Sequence, residues 1–390
     1  MNPVPQKSKL RASFVAPCVG VGGADAYMLG LIRHCYNIHW TGIAVQGNIS
    51  LRQIEWARNM IGDLVDIHQP MSPNTPYMPG VKLHQDFCET LYCASENADV
   101  IISWCVPHLK NYLFCIDKPI VEIAQNCDEY AASVIKSNED VVSFQVACSD
   151  SCHNVFGNLR STTTIYNAID PSRVTPRYGS EIIRRGWGLE EYKIALFMGR
   201  FVKEKNPMSL VHAFNLLPED WALVFVGEGQ EDEALFSSVR ESLPTHRVRF
   251  ADPQYHVGDI LHASNVFVLP TDFEGMPLAM LEAMLAGVPV VVTDILPVQE
   301  LENKYGKFAN VVPVRPTPQI LAHAIIDSQD SRHYERTAFA RTLVWERFSI
   351  TQAAAAWEEY LHNAVHQWRS LKRRVPVIQP KPATPLKGPV

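Results

Sequence analysis

Apolar residues along this chain fall into two kinds of run. Short, nearly unbroken stretches such as "SFVAPCV", "GIAVQG", "DVIIS", "PIVEIA" and "VVSFQVACS" predict strands buried on both faces. Between them lie longer segments with helical spacing, among them "ADAYMLGLIRHCY" and "LRQIEWARNMIG". Strands of this kind alternating with helices imply a parallel sheet covered on both sides. The pattern is interrupted at "IYNAIDPSRVTPRYGS", where two prolines and several turn residues read as a hinge, and then restarts. The second series contains "KIALFMG", "WALVFVG", "HRVRFA", "NVFVLP", "PVVVT" and "FANVVPV", with helices "PMSLVHAFNLL", "VGDILHAS" and "PLAMLEAMLAG" between strands. Two tandem Rossmann-like, doubly wound α/β domains are therefore expected, at 1–172 and 173–349. A long helix follows at 350–371, "ITQAAAAWEEYLHNAVHQWRSL", and then a tail at 372–390. In such sheets ligands sit beyond the carboxyl ends of the strands, which directs attention to the space between the domains.

At 390 residues the chain is long enough for two cores. A net charge of −6 speaks against an extended nucleic-acid surface. From His366 onward there are six basic residues and no acidic one, in proline-rich sequence. This reads as a solvated, disordered tail or as a contact for anionic lipid or another acidic partner. All nine cysteines lie between Cys18 and Cys152, without a Cys-x-x-Cys or a matching histidine cluster. Buried thiols in a reducing compartment are expected, and no metal site. "FVAPCVGVGG" ends in a glycine turn rather than a cleavage site, and Gly287 and Pro289 divide the other greasy stretch. The expectation is a cytoplasmic protein, with peripheral membrane contact through the tail left open.

The segment "FEGMPLAMLEAMLAG" raises the question of chemistry. Glu274 and Glu282 are almost its only polar side chains. Pro277 suits a helix start and Gly287 a helix stop, so a helix over 277–286 is expected, with Glu274 in the loop before it. A buried carboxylate needs hydrogen-bond donors, which a sugar or a ribose supplies, and the helix N-terminus between the glutamates suits a phosphate. Local structural hydrogen bonds would account for the same two carboxylates. In "FMGRFVKEKN" a strand end delivers Arg200 and Lys205 toward the same region, two cations fit for phosphate. "VFVGEGQ" places Gly227 and Gly229 at another strand end, for close approach of backbone or for a simple turn. Gly22 and Gly23 stand between the first strand and first helix, without a full dinucleotide fingerprint, and no P-loop or Asp-x-Asp occurs.

Taken together, "GGADAYML", "IYNAID", "FMGRFVKEKN", "VFVGEGQ", "ASNVFVLPTDFEGMPLAMLEAMLAGVPVVVTD" and the closing helix resemble glycosyltransferase family four, retaining nucleotide-sugar enzymes of the GT-B fold. The resemblance implies that Glu274 binds the transferred sugar and Glu282 the ribose, and that Arg200 and Lys205 bind the diphosphate. It further implies that Gly275, Met276 and Leu278 offer N–H groups to sugar and phosphate, and that Gly22 and Gly23 approach the phosphate from the first domain. The nucleobase would lie near "RFADPQY". No cofactor or metal is implied beyond the donor substrate, the acceptor is unidentified, and the closing helix would pack on the first domain. Where the family often carries a histidine after the strand "PIVEIA", this chain has Gln125, which hydrogen-bonds but does not titrate near neutrality. His108 in "SWCVPHL" is the other candidate for that contact. Three rivals remain: a sugar phosphorylase or nucleotide-sugar epimerase on the same scaffold, a non-catalytic nucleotide-binding relative, and a transferase acting on nucleic acid.

Overall fold

A computed structural model describes residues 9–20, 22–71, 81–112, 116–156, 162–228, 232–243, 246–254 and 256–374. Gly229, Tyr255 and the tail from residue 375 lie outside the described residues.

Eight parallel strands form the first sheet: β1 (Leu10–Ala16), β2 (Ile38–Val45), β3 (Ile67–Pro70), β4 (Val81–His84), β5 (Val100–Ser103), β6 (Ile120–Ala124), β7 (Phe144–Ala147) and β8 (Thr162–Thr164). Their spatial order is β4-β3-β2-β1-β5-β6-β7-β8. Six parallel strands form the second sheet: β9 (Lys193–Met198), β10 (Trp221–Val226), β11 (Val248–Ala251), β12 (Val266–Leu269), β13 (Val290–Thr293) and β14 (Asn310–Val312), in the order β11-β10-β9-β12-β13-β14. The central strands β5, β10, β12 and β13 are buried at every position, as their unbroken apolar runs require.

Each sheet reverses its winding once, between β1 and β5 in the first and between β9 and β12 in the second. At such a switch point the connections leave in opposite directions and open a crevice beyond the strand ends. The loops there carry Gly22, Gly23 and Cys105 on one side, and Arg200, Lys205 and Glu274 on the other.

Three strands escape the apolar-run reading. The buried side chains of β3 include His68 and Gln69, while β4 and β8 are short edge strands with part-exposed positions.

The chain crosses between the domains twice, and the crossings are joined. Ile169 N–H donates to the Phe348 carbonyl at 2.8 Å, and Ile350 N–H donates to the Ile169 carbonyl at 2.9 Å. The helix Ile350–Arg374 then packs on the first domain and runs past Leu371, so Lys372 is helical. Trp357, 2% exposed, donates its indole N–H to the Tyr27 hydroxyl at 3.0 Å, and Tyr360 donates to the Gln145 carbonyl at 3.2 Å. Glu358 accepts from the backbone and side-chain amides of Asn37 at 2.8 and 2.7 Å.

Replacing Trp357 by Ala should destabilise the protein by about 3–5 kcal/mol through the cavity left. Trp357→Phe removes the hydrogen bond and part of the ring volume and should cost less, about 1–3 kcal/mol. Urea unfolding gives both values; equal, small losses would show that the closing helix is not anchored here.

Candidate active site

The helix Leu278–Ala286 is the central element. Pro277 is its cap residue in extended conformation, and Gly287 closes it in the left-handed region at φ +74°. Nearly every side chain on it is buried, because it lies among the helices Tyr334–Arg347, Pro171–Val174 and Gly23–His34 and the strands β12 and β13. Glu282 shares that burial at 4% exposure. Its Oε1 accepts from Nε and Nη2 of Arg173, each at 2.9 Å. Arg173 belongs to the crossing segment, so the pair fastens the hinge to the helix. A buried charge left without its partner is costly, and two N–H groups on one carboxylate oxygen meet that need.

Glu274, before the helix, forms an ion pair with Lys205, both largely buried. Lys205 is in place because Gly199 and Arg200 leave β9 into a single 3-10 turn, Lys203–Lys205, closed by Asn206 in the left-handed region at φ 48°. The sequence expectation that Glu274 and Lys205 face one another's region is thus realised as direct contact. Arg200 is more exposed, with its guanidinium 3.6 Å from Glu204.

The glycines mark close approaches. A Cβ on Gly275 would lie 2.1 Å from the Gln125 carbonyl oxygen and 2.9 Å from the Cys148 sulfur, so glycine here lets the second domain's loop seat on the first. Gly275 also accepts from the Ser149 hydroxyl at 2.8 Å. A Cβ on Gly23 would come to 3.1 Å from the Leu278 side chain. At Gly227 it would meet the Gly199 carbonyl at 1.9 Å, so this glycine serves the packing of two loops of one domain. Met276 offers its carbonyl to the Asn167 amide at 3.5 Å.

Gln125 accepts from the Asn167 amide at 3.1 Å, while its own Nε2 and the Oδ1 of Asn167 are buried with no protein partner. One donor and one acceptor therefore stand unsatisfied at the domain junction, on two amides bonded to each other. His108 is exposed, sits at φ 54°, and its backbone N–H donates to Ser137 at 3.1 Å. Among the described residues no hydrogen bond or ion pair joins its ring to Gln125 or Glu274.

Three participants were not singled out from sequence. Asn167 lay inside the quoted "IYNAID", and Arg173 in the hinge. Asp25 follows the Gly22–Gly23 turn, and the backbone of Gly20 and Gly22 lies against its carboxylate. Burial pushes its carboxyl up to about 6, against the lowering effect of that backbone and of the Arg200 charge. An acidic residue placed two after a Gly-Gly turn at a helix start was the available signal.

The domains also meet through ions. Arg52 lies 3.5 Å from Glu228 and 3.7 Å from Asp252. Glu300, on the helix Leu296–Tyr305, accepts from the backbone N–H groups of Asp150 and Ser151 at 3.2 and 2.6 Å. A surface depression of about 740 Å³ lined by Gly287, Tyr334, Arg341 and Trp345 lies at the other end of the 278–286 helix from Glu274. Among the described residues no group of three or more His, Cys, Asp or Glu is arranged to hold a metal ion, and no helix is long and apolar enough to cross a membrane.

Solved structures share this architecture along nearly the whole chain. An Anabaena protein, HepE, in complex with UDP-glucose matches at a TM-score of 0.75 and 15% identity, over 91% of this chain and all of that one. Sucrose-phosphate synthase from Thermosynechococcus elongatus matches at 0.67 and 17% identity, over 94% of this chain and all of that one. The fold is GT-B.

In sequence, the family described as glycosyl transferases group 1 matches residues 179–339, a span that holds Arg200, Lys205, Glu274 and Glu282. A putative teichuronic acid biosynthesis glycosyltransferase of Bacillus subtilis is 35% identical over 149 residues, 37% of this chain and 35% of that protein. The N-acetyl-alpha-D-glucosaminyl L-malate synthase of Bacillus anthracis is 26% identical over 235 residues, 59% of this chain and 61% of that protein. The chain thus spans between about a third and three-fifths of the length of these curated relatives.

Arg173→Met should leave Glu282 buried without compensation and cost about 3–5 kcal/mol in chemical denaturation. Adding Glu282→Leu should recover most of that loss. A single variant as stable as the parent would show the pair to be dispensable.

Asp25 gives a pH signature. Its folded value lies above the ordinary one, so its contribution to stability is present at low pH and is lost as pH rises through about 6. Asp25→Asn should therefore melt higher than the parent at pH 8, with the difference shrinking toward pH 5. A difference independent of pH would refute the assignment.

Proposed function

We propose that the protein is a retaining glycosyltransferase of family four that moves a sugar from a nucleotide-diphosphate sugar to an acceptor. The observation that carries this reading is the placing of the Lys205–Glu274 pair, with Arg200 in the same loop as Lys205, at the switch point of the second sheet, against the loop of Gln125. The family match over that sheet and the UDP-glucose in the HepE structure support it.

In this reading the diphosphate takes the cations. Lys205 turns from Glu274 to phosphate oxygens, and Arg200 binds them from the open side. The charge of the departing diphosphate is met by fixed cations rather than by water. Glu274, released from Lys205, accepts from hydroxyls of the transferred sugar. Glu282 is already held rigid by Arg173 and accepts from the ribose. The amides of Gly275, Met276 and Leu278 face sugar and phosphate, and the turn at Gly22 and Gly23 faces the phosphate from the first domain. Asp25 ionises more readily as Arg200 approaches. The unpaired Nε2 of Gln125 donates to a sugar hydroxyl, and Oδ1 of Asn167 accepts from one. No metal is assigned, because two cations stand where an Asp-x-Asp would otherwise be needed.

The test is a panel of uridine and guanosine diphosphate sugars, with and without candidate acceptors, followed by Arg200→Ala. Loss of one charge-assisted contact of about 1.5–3 kcal/mol corresponds to roughly 10- to 150-fold in turnover. The melting temperature should stay unchanged, and chelator should leave the parent active. Unaltered turnover in Arg200→Ala would overturn the site. Dependence on inorganic phosphate would make the enzyme a phosphorylase.

A further inference from the structure

Three thiols converge just behind the domain junction, and the function proposed above uses none of them. Cys127 follows β6 and is part-exposed; Cys148 follows β7; Cys152 stands on the helix Asp150–Phe156, and the last two are buried. The Cys127 and Cys152 sulfurs are 2.7 Å apart, and Cys148 lies 3.6 Å from Cys152. A disulfide bond is about 2.0 Å long, so the first pair is within a small side-chain adjustment of bonding distance. The two elements involved are not neighbours in sequence. They are held together by the ends of adjacent strands and by Ser149, whose hydroxyl accepts from the Cys152 amide at 3.1 Å.

We propose that Cys127 and Cys152 form a redox modification site that is oxidised to a disulfide by low-molecular-weight disulfides such as oxidised glutathione. The pair holds its charge unevenly: thiol donors Cys127 and Cys148 keep the Cys152 thiol below the ordinary range, while Cys127 is held above it by its bond to Cys152 and by burial. Cys127, the accessible member, attacks one sulfur of the disulfide RSSR with the Cys152 thiolate as its base, which takes the proton across the sulfur–sulfur contact as the new bond forms. This gives a mixed disulfide and expels RS⁻, which takes the proton from Cys152. The Cys152 thiolate then attacks the Cys127 sulfur and expels the second RS⁻, which is protonated by solvent. Two protein sulfurs lose two electrons, and RSSR gains them as two RSH.

The bond would fall where both domains feel it. Cys127 is two residues beyond Gln125, whose carbonyl abuts Gly275, and Cys152 lies on the helix whose first amides bind Glu300. Oxidation would tie these two domain contacts to each other.

The experiment treats the full chain with oxidised glutathione at pH 8 and maps it by peptide mass spectrometry before and after dithiothreitol. The expected result is one reversible Cys127–Cys152 linkage in the parent. Cys152→Ser, which lacks both the base and the resolving thiol, should stop at a single glutathione on Cys127 and reach it more slowly than the parent forms its linkage, and Cys127→Ser should form no linkage. Amide hydrogen exchange of the parent should slow at 125–128 and at 150–156 on oxidation, a readout that requires neither variant nor any transferase activity. Glutathione confined to the exposed Cys18 and Cys88, with Cys127 and Cys152 still alkylated after denaturation, would overturn the proposal. So would a Cys148–Cys152 linkage.

Discussion

The relative placement of the two domains rests on one backbone junction. Ile169 leaves the first domain and Ser349 returns toward it, and the amides on either side of that crossing bond to one another. A single covalent linker would leave domain orientation to weak surface contacts. Two strands of chain joined by buried hydrogen bonds leave much less freedom. Because unpaired backbone groups are costly when buried, the junction cannot open without exposing or stranding them. The other contacts across the interface, from Arg52 to Glu228 and from Glu300 to the amides of Asp150 and Ser151, close on the geometry this junction allows.

The Arg173–Glu282 pair extends that constraint into the second domain. Arg173 follows Ile169 by four residues, so a side chain of the crossing reaches straight into the helix that carries the second glutamate. From there the chain runs back through Met276 and Gly275 to the first domain, where Ser149, Gln125 and Asn167 receive it. The candidate site is therefore enclosed by a circuit of backbone and side-chain contacts rather than placed on isolated loops. Glycine at 275 is demanded by the closeness of the two domains, a physical requirement independent of any ligand.

How much of this could be read from residues alone varied with the kind of interaction. Buried parallel strands such as β10 and β12 declare themselves by unbroken apolar runs. β3 does not, because its interior side chains are His68 and Gln69, and β4 and β8 do not, because edge strands need less apolar surface. That Lys205 and Glu274 share one region was legible, since each follows a strand end and both strands flank one switch point; their direct pairing was not. The partner of Glu282 was not: Arg173 is 109 residues away in a segment that reads as a hinge. Gly227 looked suited to a ligand and proves to be needed by Gly199. His108 was the other residue suited to the space of Gln125, and what fixes it is its backbone, left-handed and bonded through its N–H to Ser137. The thiol group was hidden for a related reason. Cys148 and Cys152 are near in sequence, but the shorter contact is made by Cys127, from the end of a different strand.

The anchoring of Trp357 on Tyr27 joins residues separated by 330 positions. During synthesis the first domain leaves the ribosome with one side of its helix Gly23–His34 uncovered, and the segment that covers that side is made more than three hundred residues later. The first domain must therefore pass much of translation with part of its apolar surface open to other chains. Its late contacts also carry a large loop-closure cost that local helical contacts do not. The architecture that secures the domains in the finished molecule thus defers the completion of the first domain until after the second has emerged.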